Sequence, residues 1–184
     1  DRFNRLSYWC AGQVVTEAVP ARRVDTLRRL IRLEQALWSL RNYNSLFAAV
    51  AGLNLSAVQR LQASWRELPA KLAEVHQRAA EMVCGEHNFR LYRDALAAAP
   101  MPVMPFVGLF LSDLTHIEDG NEDAFDGGRL VHWAKMRLVA ATFREMERYQ
   151  DFRRQYHFHV LPELQHMLSA ELDGRFSLMD EDQL

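Results

Sequence analysis

The chain has 184 residues, of which 49% are apolar and 25% charged, with a formal net charge of −2. That length and apolar content suffice for one domain with a real core, and the near-neutral balance argues against a nucleic-acid binder, which would carry a basic excess. The most apolar stretch, residues 101–111, has about half the roughly 20 residues a bilayer requires, and prolines interrupt it.

Helical periodicity dominates from the start, and no alternating strand pattern survives inspection. Phe3, Leu6, Cys10 and Val14 lie at helical spacing, in a run that ends near Pro20. Val24, Leu27, Ile31 and Trp38 line one side of a second helix whose other side carries Arg22, Arg28, Arg29 and Arg32, a charged face of the kind that normally meets solvent. Asn42-Tyr43-Asn44 breaks the pattern, because asparagine favours caps and turns. A buried helix with Leu46, Phe47 and Val50 follows and closes near Gly52 to Asn54. Ser56 reads as the N-cap of a short helix through Trp65. Pro69 reads as the first-turn proline of a helix burying Leu72, Val75, Ala79 and Met82. Asn88 reads as a cap for the segment with Phe89, Tyr92 and Leu96.

Pro100, Pro102 and Pro105 then force an extended or turning stretch. Residues 106–117 form an apolar helix running into the polar turn Glu118-Asp119-Gly120-Asn121. After Gly127-Gly128 a long helix extends from about Arg129 past Tyr149, and a last helix covers Pro162 to about Leu172. Without a repeat, low-complexity tract or linker, the expectation is one all-α domain, an irregular helical bundle over residues 1–184.

Chemistry-bearing patterns are few. Asp119, Asn121 and Asp123 follow the one-three-five spacing of an EF-hand loop, but Ala124 replaces the glycine and Leu130 the bidentate glutamate. Glu163 and His166 form a lone Glu-x-x-His pair where a di-iron bundle needs two, and His157 and His159 do not share a helix face. No P-loop, dinucleotide fingerprint or nucleophile elbow is present. The expectation is therefore no metal, no cofactor and no covalent catalysis. Phe47, Trp65, Phe89 and Trp133 read as core aromatics. Cys10 and Cys84 have no metal-like spacing and read as free buried thiols of a reducing, cytoplasmic compartment.

Several blocks, in order, resemble the catalytic domain of Ras-type guanine-nucleotide exchange factors. They are Phe3-Asn4-Arg5-Leu6-Ser7-Tyr8-Trp9; Leu40-Arg41-Asn42-Tyr43-Asn44-Ser45-Leu46; Ala51-Gly52-Leu53-Asn54 with Val58 and Arg60-Leu61; and Asn88-Phe89-Arg90-Leu91-Tyr92-Arg93-Asp94-Ala95-Leu96. The most specific block is Pro105-Phe106-Val107-Gly108-Leu109 through Asp113-Leu114-Thr115, then Glu118-Asp119-Gly120-Asn121.

The resemblance implies a helical hairpin, here about residues 106–150, that wedges open the nucleotide site of a small GTPase. Ras or Rap rank ahead of Ral as that partner. By residue match it implies a catalytic carboxylate at Asp119 with Thr115 one turn earlier, and GTPase contacts at Phe106, Asn54, Ser112 and Asn88. For Phe106 the alternative is an ordinary core phenylalanine, and for Asn54 a helix-terminal cap.

Exchange of this kind breaks no covalent bond, so the chain is not an enzyme in the covalent sense. Membrane recruitment, if any, falls to other parts of the parent protein. The alternative function is an exchange-like docking scaffold without turnover. The sequence departs from the family in three places. Asp119 stands where glutamate is usual, Ala57 where proline is common, and His132-Trp133-Ala134-Lys135-Met136-Arg137-Leu138 carries fewer charges than the family's basic block. The resemblance also implies further helices before Phe3 and after residues 179–184, with Leu6, Trp9 and Val14 on a face left uncovered.

Overall fold

The structure, a computed structural model, describes residues 2–125, 128–150 and 155–174. Their secondary structure is ten helices and one two-stranded ribbon, an all-α fold. They form two compact units, one from the described residues of Asp1–Ala99 and Phe158–Leu184, the other from those of Pro100–His157. The segment 179–184 lies outside the described residues, as does Gly127.

The first unit is built around α3 (Tyr43–Asn54), which buries Tyr43, Leu46, Phe47, Val50 and Leu53 together with the small Ala48, Ala49 and Gly52. Asn42 starts it as expected of a cap: its side-chain oxygen accepts from the Ser45 amide at 3.1 Å. Helix α1 (Arg2–Val15) buries Ser7, Cys10, Ala11 and Val14, a stripe at i, i+3, i+4 and i+7. These small side chains let the two backbones close. A Cβ on Gly52 would sit only 2.3 Å from the Ser7 carbonyl oxygen and 3.0 Å from Cys10 Cβ. Val14 is thus fully buried, while Leu6 and Trp9 are half-buried, so these three do not make an uncovered face.

Helix α2 (Pro20–Ser39) begins with Pro20 in its first turn and buries Val24, Leu27, Leu30, Ile31, Glu34 and Leu37. Trp38 is only half-buried, because Leu37 occupies the inward position of that turn. The expected helix from Ser56 to Trp65 is two pieces, α4 (Ser56–Gln59) and α5 (Gln62–Arg66), broken at Arg60 and Leu61. Leu55 stands at the N-cap of α4, and Ser56 is its first helical residue. Pro69 precedes α6 (Ala70–Val83) as its N-cap and is not inside its first turn.

Along α6 the buried positions are His76, Ala79 and Met82, with Leu72 and Val75 half-buried. His76 is accommodated because it faces Glu34: its Nδ1 lies 3.1 Å from both carboxylate oxygens, and the Trp65 ring stacks on the imidazole at 5.0 Å. Cys10 is buried, but Cys84, at the end of α6, is exposed, so only one of the two free thiols is a buried one.

Asn88 does not cap α7 (Arg90–Ala98). The residue before the helix is Phe89, and His87, Asn88 and Phe89 all take left-handed φ values of 49°, 58° and 57°. Such backbone costs on the order of 1–2 kcal/mol per residue, and local contacts offset it. Phe89 packs against Phe47 at 6.1 Å, and the Arg93 guanidinium donates to the Asn88 carbonyl at 2.9 Å and its side-chain oxygen at 3.3 Å. The last helix of this unit, α10 (Pro162–Asp173), buries none of its residues and is joined to α1 by an ion pair between Arg5 and Asp173.

The second unit is a helical hairpin with its approach segment. Val103 and Pro105 are buried, and Tyr156 donates its hydroxyl to the Pro102 carbonyl at 3.3 Å. The hairpin consists of α8 (Val107–Gly120), β1 (Ala124–Phe125), β2 (Leu130–Val131) and α9 (Trp133–Glu147). Phe110 near the start of α8 meets Tyr149 just beyond α9, with ring centroids 6.4 Å apart, while Glu118 near its end meets Lys135 at the start of α9. The two helices therefore run antiparallel.

The turn differs from expectation in two ways. Helix α8 continues through Glu118 and Asp119 to Gly120, since nothing before Gly120 breaks it and Asn121 Nδ2 donates back to the Ile117 carbonyl at 2.9 Å. The connection is then an antiparallel ribbon pairing Ala124 with Val131 and Phe125 with Leu130, so α9 starts at Trp133 instead of Arg129. It ends at Glu147, short of Tyr149.

Candidate functional site

The residues singled out on α8 share one surface. Ser112, Thr115 and Asp119 stand at i, i+3 and i+7, which places them along one side of a helix with about 3.6 residues per turn. Thr115 and Asp119 are exposed, and Ser112 is half-buried. Thr115 turns its hydroxyl onto the Leu111 carbonyl at 3.0 Å, which leaves its methyl group as the outward feature. Ser112 Oγ lies 3.4 Å from His116 Nδ1. Asp119 has no hydrogen-bond or ion-pair partner among the described residues.

Phe106 is the N-cap residue of α8, half-buried, with its ring over the start of the helix. Gly108 makes that position possible. A Cβ on residue 108 would lie 2.5 Å from Phe106 Cζ, so only a glycine leaves the ring its place.

Asn54 and Asn88 belong to the first unit. Asn54 is exposed at the last position of α3, and its side-chain oxygen accepts weakly, at 3.5 Å, from Gln59. Asn88 is exposed in the left-handed turn before α7, where Arg93 holds it. A cleft of about 200 Å³ between α2 and α6, lined by Gln35, Trp38, Ser39, Val75 and Arg78, contains none of the candidate residues.

Two features of the hairpin escaped sequence reasoning. Trp133, read as a core aromatic, is 71% exposed, with Leu130 and Val131 beside it at 60% and 64%. The ribbon explains this: its short strands end the chain's approach to α9 at the hairpin tip, where too little surrounds the first helical turn to cover an indole. Lys135 is the reverse case. Its side chain is 2% exposed, and Nζ lies 2.5 Å from Asp123 Oδ1 and 3.0 Å from Glu118 Oε2. The Asp123 hydrogen bond raises its pKa above the usual lysine value; burial works against this and Glu118 adds to it. Lys135 is therefore a charged ammonium. Only the fold brings those three residues together, so spacing along the chain carried no signal of it. Among the described residues no helix is long and apolar enough to cross a membrane.

Comparison with known proteins addresses the same residues. The RasGEF domain family matches residues 1–137, from α1 through the first turn of α9. Ras guanine nucleotide exchange factor M of Dictyostelium discoideum is 33% identical over 147 residues, 80% of this chain and 16% of that protein. Rap guanine nucleotide exchange factor 3 of Homo sapiens is 38% identical over 143 residues, 78% of this chain and 15% of that protein. Ras guanine nucleotide exchange factor Y of Dictyostelium discoideum is 31% identical over 161 residues, 88% of this chain and 10% of that protein. The chain thus spans a small part of the length of each of these relatives. A family match over residues 1–137, ordered as the helices are and running through the α8 surface, shows that the chain belongs to the RasGEF domain family.

Proposed function

We propose that the chain is a guanine-nucleotide exchange module. It binds a small GTPase of the Ras subfamily and promotes GDP release by inserting the α8–α9 hairpin into the nucleotide site. The observation that carries this reading is Asp119, an exposed carboxylate without a partner among the described residues, on the last turn of a helix inside the family-matched span.

A carboxylate suits the task. Near the phosphates and the metal ion of a GTPase it repels phosphate oxygens and competes for the basic groups they leave. Thr115, one turn back with its methyl outward, is the neighbouring contact. Phe106 supplies an aromatic contact for the GTPase's mobile surface, with Ser112, Asn54 and Asn88 as polar contacts. Exchange is a coupling between two ligands of the GTPase, and the coupling is reciprocal, so incoming nucleotide expels the exchange module. No covalent step is involved, and neither a cofactor nor a nucleic acid enters. Ras and Rap are the first partners to try, in keeping with the names of the relatives above.

The test is release of a fluorescent GDP analogue from purified Ras, Rap and Ral proteins. Acceleration on at least one supports the reading. Tight binding to nucleotide-free GTPase without acceleration leaves a docking scaffold instead.

A further inference from the structure

Two carboxylates of the last turn of α8, Glu118 and Asp119, sit at the negative end of that helix's dipole, and Glu122 and Asp123 follow within four residues. Such an arrangement repels itself and is disfavoured at a helix C-terminus. The structure sets a cation among these carboxylates. Lys135, from the first turn of α9, bridges Glu118 and Asp123, its side chain 2% exposed while theirs are 62% and 72% exposed.

An ion pair between two exposed residues would be worth little. Here two carboxylates converge on one little-exposed ammonium, at 3.0 and 2.5 Å. The consequence is geometric. Neighbouring residues of a helix point about 100° apart. With Glu118 held on Lys135, Asp119 is turned away from that contact, onto the side of α8 it shares with Thr115 and Ser112. Asp123 on the same ammonium fixes the chain beyond the helix, which His132 also ties: its amide donates to the Asp123 carbonyl at 2.8 Å, and its Nδ1 lies 2.8 Å from the Glu122 carbonyl.

We propose that Lys135 is a positioning residue for nucleotide exchange: by clamping Glu118 and Asp123 it fixes the end of α8 and aims Asp119 outward without touching nucleotide itself. The proposal rests on the exchange reading above, and the experiment separates the two.

Lys135→Met, Asp123→Asn, Asp119→Asn and the doubles Lys135→Met/Asp119→Asn and Asp123→Asn/Asp119→Asn are compared in GDP-analogue release across a range of GTPase concentrations. Asp123 is exposed, so its variant keeps the test open should Lys135→Met fail to fold. Lys135→Met should lower the maximal rate about tenfold with little change in the half-saturating concentration, as expected for a misaimed group. Asp123→Asn should fall in the same direction by less, because Glu118 still holds the ammonium. In the Asp119→Asn background either substitution should add less than about twofold, since the residue it aims is already gone. Amide hydrogen exchange of residues 118–125 in the unbound protein should quicken in Lys135→Met.

Wild-type rates in Lys135→Met and Asp123→Asn, losses that multiply with that of Asp119→Asn, or unchanged amide exchange at 118–125 in Lys135→Met would each overturn the positioning role. A wild-type protein that accelerates release from none of the GTPases overturns the exchange reading, and the proposal with it.

Discussion

Replacing Gly108 with alanine separates a binding role of Phe106 from a packing role. The added carbon would lie 2.5, 2.9 and 3.1 Å from Cζ, Cε2 and Cε1 of Phe106. Carbon atoms prefer about 3.5–4.0 Å, so the ring must retreat by roughly 1 Å. It hinges on its own Cα–Cβ bond, so the α8 backbone can stay in place. The stability cost is small: an off-rotamer ring costs about 0.5–1.5 kcal/mol, against a gain of up to about 1 kcal/mol from exchanging glycine for alanine in a helix. The melting temperature should therefore move by only a few degrees. Binding should move more. If Phe106 acts as an aromatic anchor, Phe106→Ala costs about 2 kcal/mol, roughly 30-fold in Kd. Gly108→Ala, which displaces the ring instead of deleting it, should fall between that value and wild type. The assay is calorimetric or interferometric titration of nucleotide-free GTPase, with a melt of each variant alongside. Wild-type affinity in both variants would refute the reasoning. So would a large loss of stability in Gly108→Ala, which would make the ring an interior packing element.

Gly52→Ala should destabilise the protein by about 1–3 kcal/mol in urea titration, because the new methyl group meets the Ser7 carbonyl oxygen, a backbone atom that cannot swing aside; an unchanged midpoint would mean that α1 and α3 are less closely apposed. Burial raises the Glu34 carboxyl above its ordinary 4.5, against the lowering pull of His76's hydrogen bond and charge, so the folded state holds that proton more tightly than the unfolded chain. Wild-type stability should therefore fall relative to Glu34→Gln as pH rises from about 4.5 through the raised folded value, and stay level above it; a pH-independent difference between the two would contradict this. Burial also pushes the Cys10 thiol up to about 12, so a thiol reagent should label Cys84 in the native protein and reach Cys10 only on unfolding. Two rapidly reacting thiols in the folded state would be the contrary result.

Long helices were legible in the sequence because their apolar spacing repeats over several turns, as in α2 with Val24, Leu27 and Ile31. Their ends were less so. Helix α8 outruns its apolar stretch because Glu118 and Asp119 tolerate helix geometry once Lys135 and Asn121 satisfy its end. The ribbon of Ala124–Phe125 with Leu130–Val131 is too short to show a period. Buried polar residues were hidden for a different reason. Glu34 sits in the apolar stripe of α2 only because His76, forty-two residues on, comes to meet it, and Lys135 is covered only because Glu118 and Asp123 fold back on it. The candidate site was legible in part. Ser112, Thr115 and Asp119 follow from helical spacing within α8, whereas the exposure of Trp133 depends on where the ribbon ends.

The central claim is that Asp119 drives nucleotide release. It is tested most directly by the rate of GDP-analogue release at saturating exchange module, wild type against Asp119→Asn, on whichever Ras-subfamily GTPase responds. Asp119 is exposed, so the substitution should leave the melting temperature unchanged. The account predicts a fall in the release rate of on the order of tenfold, within the range of coupling energies between two ligands of one protein. An Asp119→Asn protein that is fully folded and releases GDP as fast as wild type would contradict it.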